Sequence, residues 1–275
     1  MNLEQIEYWN GGAAQTWVAQ QDLLDRQLDP LGRAALRALG PRAGEQILDV
    51  GCGSGQTTLQ LAEAVGSAGR VVGIDVSSPL LASARRRTSD PRVSFLRADA
   101  QTHAFDQPFD GIYSRFGVMF FADPVAAFAN LRGALKSGGR ISFVCWRREA
   151  ENPMMTVPMA AALKHLPPLP PQTADPTAPG PFAFADAARL GRILQAAGFG
   201  HIVVDPHDEP IGGNDGAGTL ELALQIGPLG RLLREHPEHR AAVIDAVRAA
   251  IEPFLVRGIA RFPSATWIVS ATRES

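Results

Sequence analysis

With 275 residues and 45% hydrophobic content, the chain can bury a complete core and carry a small appended cap. Its 26 basic and 28 acidic side chains leave a formal charge of -2, which provides no general attraction to nucleic acid. No stretch reads as a membrane span, and Glu4 and Glu7 near the start replace the basic and apolar regions of a secretory leader, so a cytoplasmic protein is expected.

In chain order, residues 1–40 come first, with Tyr8, Trp9 and Trp17 ahead of a helical segment rich in Leu, Ala and Arg. Those aromatics either cover a ligand or dock the helix on the core. Ile47-Leu48-Asp49-Val50 then reads as a buried strand, and Gly51, Gly53 and Gly55 at alternate positions let a ligand approach the backbone without Cβ atoms in the way. Gln56 to Val65 follows a helical pattern, which places the ligand at a helix N-terminus. Gln56 stands where the dinucleotide fingerprint requires a third glycine, and no Gly-Lys-Ser/Thr follows to make a phosphate loop.

Arg70 to Val76 is a second strand ending in Asp75, an acid placed to accept from both hydroxyls of a ribose lying across strand ends. A third strand, Val93 to Leu96, leads to Asp99, which can accept from an adenine amino group. Phe109 to Ser114 forms a fourth strand and enters Arg115-Phe116-Gly117-Val118-Met119. Asp123-Pro124 opens a helix through Leu135, with aspartate as N-cap and proline at the first helical position, and Gly138-Gly139 precedes a fifth strand, Ile141 to Cys145.

This ordered series resembles the class I S-adenosylmethionine-dependent methyltransferases, most closely the small-molecule group that includes quinone-biosynthesis enzymes. The likeness covers roughly residues 40–147 and departs from the family pattern at Lys136-Ser137-Gly138-Gly139, where a proline is usual before the glycine pair. The resemblance implies an α/β, Rossmann-like sheet of seven strands, mostly parallel, whose seventh strand is antiparallel and lies between the fifth and sixth, with helices on both faces. It also implies a cofactor, S-adenosylmethionine, with S-adenosylhomocysteine as product. Its methionyl part would meet Asp49, Gly51, Gly53, Gly55 and Thr57, its ribose Asp75 and Val76, its adenine Asp99 and Ala100, and Ser114 would approach it from the fourth strand.

Beyond residues 41–146, which hold these motifs, the stretch 147–185 is rich in proline from Pro167 to Pro181, which forbids a long helix or central strand, yet Met154, Met155, Phe182 and Phe184 are too apolar for a free linker. A short helix and a surface loop near a pocket mouth are expected, acting either as lid or as packing. Residues 186–275 complete the core sheet: Ala185 to Ala197 is helical, Ile202 to Val204 and Ser264 to Ala271 are the sixth and seventh strands, and 217–258 is a helical insertion on the substrate side. Cys52 and Cys145 would end the first and fifth strands, which the fourth separates, so no disulfide is expected.

Transfer from a sulfonium needs orientation more than a covalent intermediate, so no catalytic base is assigned; the polar candidates are Tyr8, Arg115 and His207. His236 and His239 are separated by Pro237 and lack a third ligand, so no metal is expected. Tyr8, Trp9, Trp17, Phe116, Met119, Trp146 and Met154 would line a pocket for an apolar or aromatic small molecule, with neither nucleic acid nor membrane as partner. The oxygen, nitrogen or carbon that accepts the methyl is left open. The alternatives are a tRNA- or protein-modifying methyltransferase and a non-catalytic S-adenosylmethionine-binding regulator.

Overall fold

A computed structural model describes residues 2–168 and 175–274. Part of the proline-rich stretch, residues 169–174, lies outside the described residues. Ten strands are present among them: β1 Gln46–Val50, β2 Arg70–Asp75, β3 Val93–Arg97, β4 Phe109–Arg115, β5 Leu135–Trp146, β6 Gly200–Asp208, β7 Ile211–Asp215, β8 Leu255–Val256, β9 Ile259–Phe262 and β10 Ala265–Thr272. The helices are α1 Leu3–Tyr8, α2 Gly12–Ala19, α3 Gln21–Leu39, α4 Gln56–Val65, α5 Ser78–Arg86, α6 Pro124–Ala134, α7 Pro153–Ala162, α8 Ala187–Ala196, α9 Gly216–Gln225, α10 Gly227–Glu235 and α11 Arg240–Ile251.

Seven strands form the main sheet in the order β3-β2-β1-β4-β5-β10-β6, and β10 runs antiparallel to both of its neighbours. The seventh strand of this sheet therefore sits between the fifth and sixth, as expected. From β1 the chain builds outward to β3 on one side, then returns to β4 and builds the other way. That reversal between β1 and β4 opens a crevice at their C-terminal ends, where ligands of open α/β sheets bind.

The central strands carry apolar runs because both faces are covered: Ile47, Leu48, Ile112, Phe143 and Val144 are wholly buried. Helix α3 presents Leu24, Leu28, Leu31, Ala35 and Leu39 at helical spacing, all buried. Asp123, Asp186 and Asp215 cap α6, α8 and α9 by accepting the amides of Ala126, Arg189 and Gly218 at 3.0, 3.0 and 2.7 Å. Cys52 and Cys145 are both buried and free.

The structure differs from the sequence expectation in several places, among them β5, which begins at Leu135 rather than Ile141 and takes in Gly138-Gly139. A second sheet, β7-β9-β8, flanks the helical insertion, and β8 falls within residues 217–258. Strand β7 is Ile-Gly-Gly-Asn-Asp, with Gly212 and Gly213 at φ 141° and 74°, and β8 has two residues, so neither shows alternation. The sixth strand of the main sheet is longer than Ile202 to Val204. It reaches Asp208, so His207 lies within a strand rather than beyond it.

Asn152, in the Asn-Pro-Met segment after the fifth strand, is 1% exposed. Its side chain accepts from the Ala265 amide at 2.9 Å and donates to the Ala265 carbonyl at 3.2 Å, clamping the start of β10 to the entrance of α7. Asn152→Ala leaves the Ala265 amide without its side-chain acceptor, while the Ala265 carbonyl keeps its bond from the Arg147 amide at 3.0 Å. We expect a loss of about 1 to 3 kcal/mol of stability, read by urea unfolding, the cost of one unsatisfied buried group.

Candidate functional site

At the crevice, the glycine loop after β1 is tied to β2 by the Gly51 amide, which donates to the Ile74 carbonyl at 2.8 Å. Gly51 has φ +68°, and a Cβ there would lie 2.6 Å from the Gly117 Cα on the loop after β4. Gly53 has φ +54° with open space where a Cβ would stand, and it lines the cavity. These are the two positions where only glycine serves both backbone and ligand.

Asp75 ends β2 with both carboxylate oxygens engaged by backbone: Oδ2 accepts from the Gly53 amide at 2.9 Å and Oδ1 from the Ser77 amide at 2.8 Å. Each oxygen retains a second lone pair, and burial pushes the carboxyl above its usual range. Asp99 accepts from the Gln101 amide at 2.9 Å through Oδ1, while its buried Oδ2 has no partner among the described residues. Both acids line one cavity of about 980 Å³, which is at the upper end of the ~300 to 1,000 Å³ typical of small-molecule sites.

Aromatic side chains line the same cavity. Trp9 meets Tyr8, Trp17 and Phe120 edge-on at centroid distances of 5.2, 5.4 and 5.5 Å. Phe116 stacks on Trp146 at 4.3 Å and holds a left-handed backbone, φ 60°, a conformation that concentrates at functional sites. Asn10 latches the N-terminal helices over the site: its side chain donates to the Val76 carbonyl and accepts from the Ser78 amide, both at 3.0 Å. Asn2 adds a bond to the Phe120 carbonyl at 2.5 Å.

The cavity thus brings together Gly51, Gly53, Thr57, Asp75, Val76, Asp99 and Ala100 with Tyr8, Trp9, Trp17, Phe116, Met119, Trp146 and Met154. Four of the sequence candidates lie elsewhere. Gly55 faces away from it, because a Cβ there would meet Ala84 and Phe95 at 3.0 Å. Ser114 is wholly buried and braces the crevice from below, donating to the Val50 carbonyl at 2.7 Å and accepting from the Gly117 amide at 3.1 Å. His207 pairs with Glu209 at 3.0 Å on β6, away from the cavity wall. Asp49 lies beneath the loop, where its Oδ2 accepts from the Thr57 and Thr58 hydroxyls at 2.7 Å each and so holds the first turn of α4.

Arg115 does reach the cavity, but its guanidinium is held by the Gln56 carbonyl oxygen and by Asp25 at 3.4 Å. Asp25 in turn accepts from Arg87 at 2.7 Å, and Asp29 accepts from Gln60 at 2.6 Å. Helix α3 thereby fastens α4, α5 and the end of β4 around the site. Asn10 and Asp25 do not figure among the sequence candidates: their partners Val76, Ser78, Arg87 and Arg115 are distant in the chain, so no local motif marks them.

A methyltransferase-domain family model matches residues 47–139. Aklanonic acid methyltransferase DauC of Streptomyces sp. (strain C5) is 36% identical over 118 residues, which are 42% of this chain and 54% of that protein. A demethylmenaquinone methyltransferase of Clavibacter sepedonicus is 40% identical over 116 residues, 41% of this chain and 46% of that one. The chain spans about half the length of the curated relatives it matches. Among solved structures, Haemonchus contortus phosphoethanolamine N-methyltransferase 2, in complex with phosphomonomethylethanolamine and S-adenosylhomocysteine, superposes with a TM-score of 0.55 at 19% identity, covering 90% of this chain and 53% of that one. The motif resemblance to class I S-adenosylmethionine-dependent methyltransferases, quinone-related enzymes among them, is borne out, as is the Rossmann-like fold with its antiparallel strand.

Burial raises the Asp49 carboxyl from its usual 3.8 to about 6, against the lowering effect of the two threonine hydroxyls and Arg115. A carboxylate raised on folding imposes no penalty below pH ~4 and a growing one up to pH ~6, reaching about 3 kcal/mol above that. Unfolding free energies measured from pH 4 to 7.5 are therefore expected to rise in Asp49→Asn relative to the parent by up to ~3 kcal/mol across that window. A pH-independent difference between the two proteins would show that Asp49 ionises as it does in water.

Proposed function

We propose that this chain transfers a methyl group from S-adenosylmethionine to a small apolar or aromatic acceptor. The observation that carries the reading is the mixed chemistry of one cavity: two acids and an exposed glycine backbone together with tryptophan, phenylalanine and methionine side chains. The acids and glycines fit the cofactor. Asp75 keeps lone pairs for two ribose hydroxyls, the unpartnered Asp99 Oδ2 awaits an amino donor, and Gly53 leaves room where a side chain would intrude.

When bound, S-adenosylmethionine supplies an electrophilic methyl on a sulfonium that departs as a neutral thioether. The chain's own residues hold the acceptor in line and keep water out, and orientation of that kind can lower a barrier by about 7 to 11 kcal/mol. Trp9, Phe116 and Trp146 form rigid walls for a flat acceptor, while Met119 and Met154 adapt to its outline. Arg115 serves as a positioning residue, because Gln56 and Asp25 already occupy its guanidinium. Relatives named for aklanonic acid and demethylmenaquinone methylation support a small acceptor in preference to tRNA or protein.

Calorimetric titration with S-adenosylmethionine, S-adenosylhomocysteine and NAD tests this directly. Micromolar binding of the first two alone is expected, followed by S-adenosylhomocysteine release when small aromatic acceptors are added; a preference for NAD would overturn the proposal. In the same assay Asp75→Ala is expected to weaken S-adenosylhomocysteine by about 1.5 to 3 kcal/mol, the range for hydrogen bonds to a charged group. Gly53→Val should abolish detectable binding while the protein remains folded by circular dichroism.

A further inference from the structure

The wall of the cavity built by α9 and α10 combines two kinds of surface. Leu222, Ala223, Ile226 and Leu229 are apolar, and beyond them stand Arg231 and Arg234. These arginines are three residues apart on α10 and so share one helix face, where like charges repel. Arg231 has a single loose neighbour, Glu235 at 3.8 Å, and Arg234 has no ion pair or hydrogen bond among the described residues. Glu7 and Glu149, the acids that also line the cavity without a bond to its floor, form no ion pair with either. Arg115, by contrast, is held by Gln56 and Asp25.

One guanidinium without an ion pair among the described residues and one only loosely paired, beside an apolar wall, make a receptor for an anion attached to an apolar body, since the planar fork of arginine matches carboxylate and phosphate oxygens. Resting on the methyl-transfer reading, we infer that the acceptor is an apolar, ring-bearing molecule that carries a carboxylate or phosphate, and that Arg231 and Arg234 hold this group at the cavity rim. The anion then fixes which end of the acceptor points toward the glycine loop. The arginines are specificity-determining residues, remote from the reacting atoms.

Calorimetry on the full chain saturated with S-adenosylhomocysteine, using 2-naphthoate, 2-naphthyl phosphate and neutral 2-naphthamide, tests the inference. The parent protein is expected to prefer one or both anions over the amide by roughly tenfold, as a charge-assisted pair of about 1.4 kcal/mol gives. Arg231→Gln/Arg234→Gln should lose that preference without change in S-adenosylhomocysteine affinity, whereas Arg248→Gln, which removes a charge paired with Asp245 away from the cavity, should keep it. The stronger anion identifies the source of the charge. Equal binding of anions and amide, no binding of any probe, or an intact preference in the double variant would overturn the inference. Failure of S-adenosylhomocysteine to bind would instead sink the methyl-transfer reading, and the same probe series on the unliganded chain would still decide the anion site.

Discussion

The contact on which the site depends is the near-touching of two backbones at the point where the sheet reverses direction. Gly51 and Gly117 leave no room for a Cβ on either chain: one built on Gly117 would fall 2.6 Å from the Val50 carbonyl oxygen, and one on Gly51 equally near the Gly117 Cα. Ser114 bonds to both loops and holds them at that distance. Because the loops after β1 and β4 are pressed together, the acid ending β2 and the aromatic turn after β4 face a common space. A side chain at either glycine would separate these two groups.

Around this contact the helices act as a harness. Asp25 and Asp29 of α3 gather Arg87, Arg115, Gln56 and Gln60 from three different elements. Gln56 illustrates how one substitution changes the chemistry of a loop. It occupies the place of a third glycine in dinucleotide-binding turns, and here it links Arg115 to Asp29 instead of leaving space for a pyrophosphate. The charges of this network are largely satisfied by one another, so the site is shaped by them more than it is charged by them.

Local order was legible in the sequence where function and backbone geometry coincide. Gly51 and Gly53 follow β1, Asp75 ends β2 and Asp99 follows β3, and strand ends converge in this topology, so residues picked along the chain meet at one cavity. Asp49, Gly55 and Ser114 lie off the cavity wall, because position along the chain does not carry the direction a residue faces once a neighbouring element closes on it. His207 lies within β6, whose place at the sheet edge tolerates Pro206 and lets the strand run past Val204. The β7-β9-β8 sheet left no trace, since β7 pairs with β9 some fifty residues away, β8 and β9 form a short hairpin across Arg257-Gly258, and none of the three has a periodicity of its own.

The aromatic lining of the cavity also gives the protein an optical property. Of four tryptophans in the chain, Trp9, Trp17 and Trp146 line the cavity, and the fourth, Trp267, lies beside the Arg147 guanidinium. Indole emission shifts with the polarity and quenching groups around it, and three of the four indoles of the chain stand in the walls of a single space. Filling or emptying that space alters the spectrum without any label, and the protein serves as its own reporter of occupancy.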